Sequence, residues 1–382
     1  LVISIVDGGN IIMARLKLII ADTDGTYVES IAEYIMLNHS QEFQVNSFTD
    51  KQCLIEYLSG EGNHADVLLI ESSLYSDEIP KENIANVILL TAEKADGNTG
   101  DYYTICKYQK GDKIVSDIFN IFAQKSNGNT VSVAGDKNTK LIAVYSPIGG
   151  SGKTTVATSC AIQCAQRRMK VFYLNLEDFQ STPMFCDCKG EHTFSDVLYY
   201  LKDKSSNLQL RIEGSKLYDA EYNLYYFNPP ESLLDLQECK PEELRTLLDE
   251  FRNMGQYDLV FVDMSSSFDD KNIAVLEACD EILLVLPQDA VSDIKISLFA
   301  KEMSILKDRR GIDFIDKINM VLNKYNTYMA LEVDTAEVCG KSIEYYIPAV
   351  PGMAAIKGNN RLMDLQGDFT ESIEEIIEKY CI

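Results

Sequence analysis

Ser146-Pro147-Ile148-Gly149-Gly150-Ser151-Gly152-Lys153-Thr154-Thr155 follows an apolar run, Leu141-Ile142-Ala143-Val144-Tyr145, and leads into the helix-compatible Val156–Ala165. Strand, glycine-rich turn and helix in that order make a phosphate-binding loop. Glycines let backbone N–H groups approach a phosphate, and the helix N-terminus adds a positive dipole end. The expected phosphate contacts are Gly149, Gly150, Ser151, Gly152, Lys153, Thr154 and Thr155, with Lys153 on the terminal phosphates and the Thr154 hydroxyl on Mg²⁺.

A chain of 382 residues accommodates two domains of ordinary size, and a hydrophobic fraction of 46% suits globular folding. No apolar run has membrane-spanning length. The net charge of −24 works against nucleic acids and anionic membranes, both of which need local Lys/Arg. No nucleic-acid partner and no direct membrane insertion are therefore expected. The ten cysteines lack zinc-finger spacing and read as reduced thiols.

Short apolar runs alternate with amphipathic stretches in two blocks. In the first, Leu16–Ala21, Gln44–Phe48, Val67–Ile70, Asn86–Leu90 and Tyr102–Cys106 read as strands between helical segments. In the second, Leu141–Tyr145, Val171–Leu176, Leu224–Phe227, Leu259–Val262, Glu281–Leu286 and Ile318–Leu322 do the same. The expectation is an α/β chain of two domains, each a mostly parallel sheet flanked by helices. The expected boundaries are a first domain at 13–123, a polar linker at 124–139 and a second domain at 140–382, with residues 1–12 a tail. Asp368–Ile382 is amphipathic with an acidic polar face, so packing on its own domain is expected rather than membrane anchoring.

Tyr257–Asp263 holds four apolar residues in a row and ends in an acid, the pattern by which a strand offers a carboxylate to the outer sphere of Mg²⁺. On these residues the second domain resembles the MinD/ParA family of P-loop ATPases. Gly149, Gly150, Gly152, Lys153 and Thr154 match its Lys-Gly-Gly-x-Gly-Lys-Thr/Ser loop, and Pro147 excludes the ordinary Walker-A spacing. The resemblance implies that Asn323 recognises adenine, that Pro351 lies against the base and that Asp263 serves Mg²⁺ beside Thr154. Asn223–Asp263 resembles the TadZ/CpaE group, whose members place an atypical receiver ahead of a MinD-like ATPase and assist assembly of Tad or Flp pili. It implies a cytoplasmic ATP- and Mg²⁺-binding homodimer that meets pilus and secretion proteins, at a cell pole through those partners.

Departures from the family matter as much. The lysine that crosses the family's ATP-bridged dimer should stand at 148, where this chain has Ile148. The family's Asp-x-Asp becomes Asn175-Leu176-Glu177, leaving Glu177 to orient an attacking water on a longer arm. A Pro-containing turn after Asp263 becomes Met264-Ser265-Ser266-Ser267. Lys153 and Glu177 are the catalytic candidates, and intact binding with weak or absent hydrolysis is the expectation. The alternatives are a cycling positioning ATPase of the MinD/ParA type and a phosphorylation-responsive regulator.

The first domain resembles a response-regulator receiver with its phosphorylation chemistry degraded. Asp22 stands for the first acid of the Mg²⁺ pair, but Thr23 replaces the second. Glu71 stands where the phosphorylated Asp belongs, while Thr91 and Lys107 match their positions. The expectation is a Glu71–Lys107 pair in a receiver retained for docking or dimerisation.

Overall fold

The computed structural model describes residues 2–7, 10–40, 42–92, 102–125, 131–134, 137–188, 190, 192–202, 208–326, 340–350 and 367–381. It divides into two units, residues 1–136 with 204–215, and residues 137–203 with 216–382.

Unit 1 begins with strands β1 (Val2–Asp7) and β2 (Asn10–Ala14). The core alternation follows with β3 (Leu16–Ala21), α1 (Gly25–Asn38), β4 (Phe43–Phe48), α2 (Lys51–Leu58), β5 (Ala65–Glu71), β6 (Ile84–Thr91), β7 (Tyr103–Cys106) and α3 (Gly111–Lys125). Asp24 and Asp50 cap α1 and α2 by accepting from Tyr27 N and Cys53 N, bonds that satisfy otherwise orphaned helix donors. The five strands run parallel in the order β4-β3-β5-β6-β7. Apolar clusters cover both faces of this sheet, which is why β3 and β5 read as continuous apolar runs. Beyond α3, β8 (Val131–Ala134) pairs antiparallel with β1, and β1 with β2. Residues 1–12, read from sequence as a tail, thus include the β1 strand and part of β2.

Unit 2 opens with β9 (Lys140–Tyr145), α4 (Lys153–Gln166), β10 (Val171–Leu176) and α5 (Phe194–Lys202). The chain then contributes α6 (Leu208–Ser215) to unit 1, where Asn120 Nδ2 of α3 donates to the Gly214 carbonyl at 2.9 Å. Unit 2 continues with β11 (Lys216–Asp219), β12 (Leu224–Phe227), α7 (Leu233–Gln237), α8 (Pro241–Met254), β13 (Leu259–Met264), α9 (Asp270–Ala278), β14 (Glu281–Pro287), α10 (Ala290–Arg310), β15 (Ile318–Tyr325), β16 (Ile343–Pro348) and α11 (Asp368–Ile377). Its eight strands lie in the order β11-β12-β10-β13-β9-β14-β15-β16, parallel except for β11. The two parallel-sheet units agree with the fold class read from sequence.

Strand order places β13 on one side of β9 and β14 on the other. The sheet therefore reverses its winding at β9, and ligands of open α/β sheets bind beyond the carboxyl ends of the strands at such a point. α4 and α11 share one core cluster through Cys160, Cys164, Ile373 and Ile376, so the C-terminal segment packs on its own domain as expected. Among the described residues, no helix is long and apolar enough to cross a membrane.

Candidate nucleotide-binding site and receiver site

The loop 146–152 leaves β9 and ends at Gly152, the N-cap of α4, in the left-handed region at φ 95°. Gly150 is also left-handed at φ 72°, and both positions therefore favour glycine. Asn323, at the end of β15, donates Nδ2 to the Ser151 carbonyl at 2.8 Å. Lys324 Nζ donates to the Gly150 carbonyl at 2.7 Å. The residue expected on adenine thus braces the phosphate loop in this structure. Pro351 lies outside the described residues.

Lys153 is buried and donates Nζ to Ser266 Oγ at 2.7 Å. The Thr154 hydroxyl donates to Glu177 Oε2 at 3.1 Å. Thr155 lies in the first turn of α4, half-buried. Asp263 is fully buried on β13, where its Oδ2 accepts from the Tyr173 hydroxyl at 2.8 Å.

The electrostatics of the site favour a cation. Burial, then the charge of Glu177, pushes the Asp263 carboxyl up to about 7. Burial also raises Glu177. Burial pulls the Lys153 ammonium down, against the pull of Glu177 and Asp263. Asp263 Oδ1 has no hydrogen-bond partner. An orphaned carboxylate oxygen in a buried site is a mismatch that a hydrated divalent ion corrects. The donor set therefore fits Mg²⁺, with Thr154 and Asp263 as the residues that would hold it.

The receiver positions also converge. Lys107 Nζ lies 2.6 Å from Asp22 Oδ2 and 3.3 Å from Glu71 Oε1. Thr23 donates its hydroxyl to Glu71 Oε2 at 2.7 Å. That bond, outweighing burial, draws the Glu71 carboxyl down to about 2. Burial pulls Lys107 down, but its bonds to Asp22 and Glu71 prevail and raise it. Thr91, at the end of β6, directs its hydroxyl at the Ile105 carbonyl, 3.5 Å away. Lysine, Asp22, Glu71 and Thr23 thus form one closed ionic clasp.

A family described as a TadZ-like receiver domain matches residues 14–123. A family described as an AAA domain matches residues 139–315. The two matches follow one another along the chain, a TadZ-like receiver domain first and an AAA domain second. Among solved structures, a ParA family ATPase from Chlorobium tepidum TLS is similar at 17% identity and a TM-score of 0.52, over 63% of this chain and 98% of that one. The septum site-determining protein MinD with Mg-ADP from Pyrococcus horikoshii OT3 aligns at 17% identity and a TM-score of 0.46, over 62% of this chain and 96% of that one. The MinC:MinD cell division complex of Aquifex aeolicus aligns at 17% identity and a TM-score of 0.49, over 63% of this chain and 94% of that one. At 17% identity the likeness to the ParA family ATPase is one of fold. The comparison with curated proteins gave no match.

Sequence reading missed three partners. Tyr173 lies inside an apolar strand, where nothing in the spacing marks its hydroxyl. Ser266 stood out only as part of a replaced turn, yet it holds Lys153 and donates to the Ile148 carbonyl at 3.3 Å. Thr23 was read as a lost acid, and it instead anchors Glu71.

Proposed function

We propose that this chain is an ATP-binding, ATP-stabilised dimeric localisation or assembly factor for a Tad (Flp) pilus machinery, with weak or absent intrinsic hydrolysis. Lys153 takes the terminal phosphates, and Thr154 and Asp263 hold Mg²⁺. Mg²⁺ held by Thr154 and Asp263 would supply positive charge against the phosphates. Glu177, bonded to the Thr154 hydroxyl, would orient a water.

The observation that carries the low-turnover reading is Ile148. Where relatives of the resembled family carry a lysine that reaches into a partner's site, this side chain is apolar and only 6% exposed. It supplies no charge and is turned into its own domain. A cation acting in trans on phosphoryl transfer is worth about 10³–10⁵ in rate.

The test is multiple-turnover hydrolysis by the purified chain. Turnover at least about 10³-fold below the ordinary enzyme range of about 1–10³ s⁻¹ supports the reading, and a rate inside that range sinks it. Retained ATP that promotes dimerisation, and is lost in Lys153→Ala, supports the structural role of the nucleotide. The receiver serves as a docking surface on this reading, since its clasp already fills the acceptor site. The TadZ-like receiver match supports the pilus reading, and co-purification with pilus-secretion components tests it.

A further inference from the structure

Asn175 replaces an acid of the resembled family, and its surroundings show what the amide does instead. On β10, Tyr173 and Asn175 are two residues apart and share a face. Asn175 lies opposite Asp263 of β13 in the parallel register. Tyr173, Asn175, Thr182 and Asp263 are all at least nine-tenths buried.

A tyrosine has one proton to give, and Tyr173 gives it to Asp263 Oδ2 at 2.8 Å. Its oxygen then accepts from Asn175 Nδ2 at 3.2 Å, and the same amide nitrogen reaches Thr182 Oγ1 at 3.3 Å. The other end of the amide is identified by its donor: Asn175 Oδ1 accepts from the Glu177 backbone N–H at 2.8 Å. The Asn175 carbonyl accepts from Gln180 Nε2 at 2.7 Å. Donor and acceptor are both required, and only an amide side chain of this length supplies both. A carboxylate at 175 would keep the Glu177 contact but turn a lone pair towards Tyr173, competing with Asp263 for the single phenolic proton.

We infer that Asn175 is a positioning residue whose amide nitrogen fixes the Asp263 carboxylate through Tyr173 and whose oxygen fixes the backbone at Glu177. With Oδ2 committed to Tyr173, Asp263 leaves Oδ1 as the oxygen available to the site. The same amide reaches Thr182, and the Asn175 backbone carbonyl holds Gln180, both just after Phe179, a side chain 80% exposed. This inference rests on the Mg·ATP reading of the site.

The test uses the full chain and two readouts: backbone amide exchange at Glu177 without nucleotide, and the Mg²⁺ concentration for half-maximal ATP retention. Asn175→Asp should keep Glu177 protected yet raise the Mg²⁺ requirement about tenfold, the size of one lost hydrogen bond to a charged group. That sign is diagnostic, because an added negative charge acting alone would lower the requirement. Tyr173→Phe should raise it similarly and leave Glu177 protected, and the double variant should add little to either. Asn175→Ala should speed Glu177 exchange about tenfold. An unchanged or lowered Mg²⁺ requirement in Asn175→Asp, or unchanged exchange in Asn175→Ala, overturns the inference. Wild-type chain that retains no ATP overturns the nucleotide reading instead, and the exchange arm, which needs no ligand, still decides the Asn175 contact.

Discussion

Asn323 seats its side-chain amide on the Ser151 carbonyl, 2.8 Å away, directly over Gly152. A Cβ on Gly152 would collide with Asn323 Nδ2, and the φ of 95° disfavours any side chain there. Gly152→Ala is predicted to abolish ATP retention and to destabilise unit 2 by about 1–3 kcal/mol. Asn323→Ala should cost about 1 kcal/mol and weaken retention without abolishing it. Thermal unfolding and titration with a fluorescent ATP analogue check both.

The receiver clasp makes a prediction about unpaired charge. Lys107 and Asp22 are buried, whereas Glu71 is partly exposed. Lys107→Met leaves Asp22 without its cation, a change expected to cost about 3–5 kcal/mol. The exposed Glu71 contact contributes little of that. Adding Asp22→Asn should recover much of the loss, because it removes the orphaned charge. Denaturant unfolding followed by amide exchange across residues 14–123 measures both.

Acid should loosen the same clasp. The Glu71 carboxyl is drawn from 4.5 to about 2 in the folded chain. A depressed carboxyl contributes stability that is fully present above the unfolded value and is lost as pH falls through the folded value. Between about pH 4.5 and 2, wild-type chain should therefore lose more stability per pH unit than Glu71→Gln. Parallel slopes for the two proteins, measured by denaturant midpoints at each pH, would rule out this role for Glu71.

Gly214 tests the inclusion of α6 in unit 1. A Cβ there would sit 2.5 Å from Asn120 Oδ1, and Asn120 is buried. Gly214→Ala is predicted to destabilise unit 1 by about 1–3 kcal/mol, the usual cost of overpacking. Faster amide exchange in α3 is the readout.

Much of the architecture was legible because parallel strands buried on both faces appear as unbroken apolar runs, as in Leu141–Tyr145 and Leu259–Val262. Asp263 sits at the carboxyl end of such a run, and Gly152-Lys153-Thr154 follows another across one glycine-rich turn. The edge strands were harder. β11 and β16 are only partly buried, and Pro348 closes β16. α6 is buried all round, and its Leu208-Gln209-Leu210-Arg211-Ile212-Glu213 alternates apolar and polar with a strand's period, so no helical period shows. The roles of Asn175 and Ser266 depend on partners brought from other strands or loops, Tyr173 and Lys153, and substitution at a motif position reveals only what chemistry was lost.

On the proposed reading the phosphate loop holds ATP rather than hydrolysing it. The direct measurement is the nucleotide recovered from purified chain after incubation with Mg·ATP and removal of free ligand. Intact ATP is expected on wild-type chain and none on Lys153→Ala. Recovery of ADP as the main bound species, or equal retention by the Lys153 variant, would contradict it.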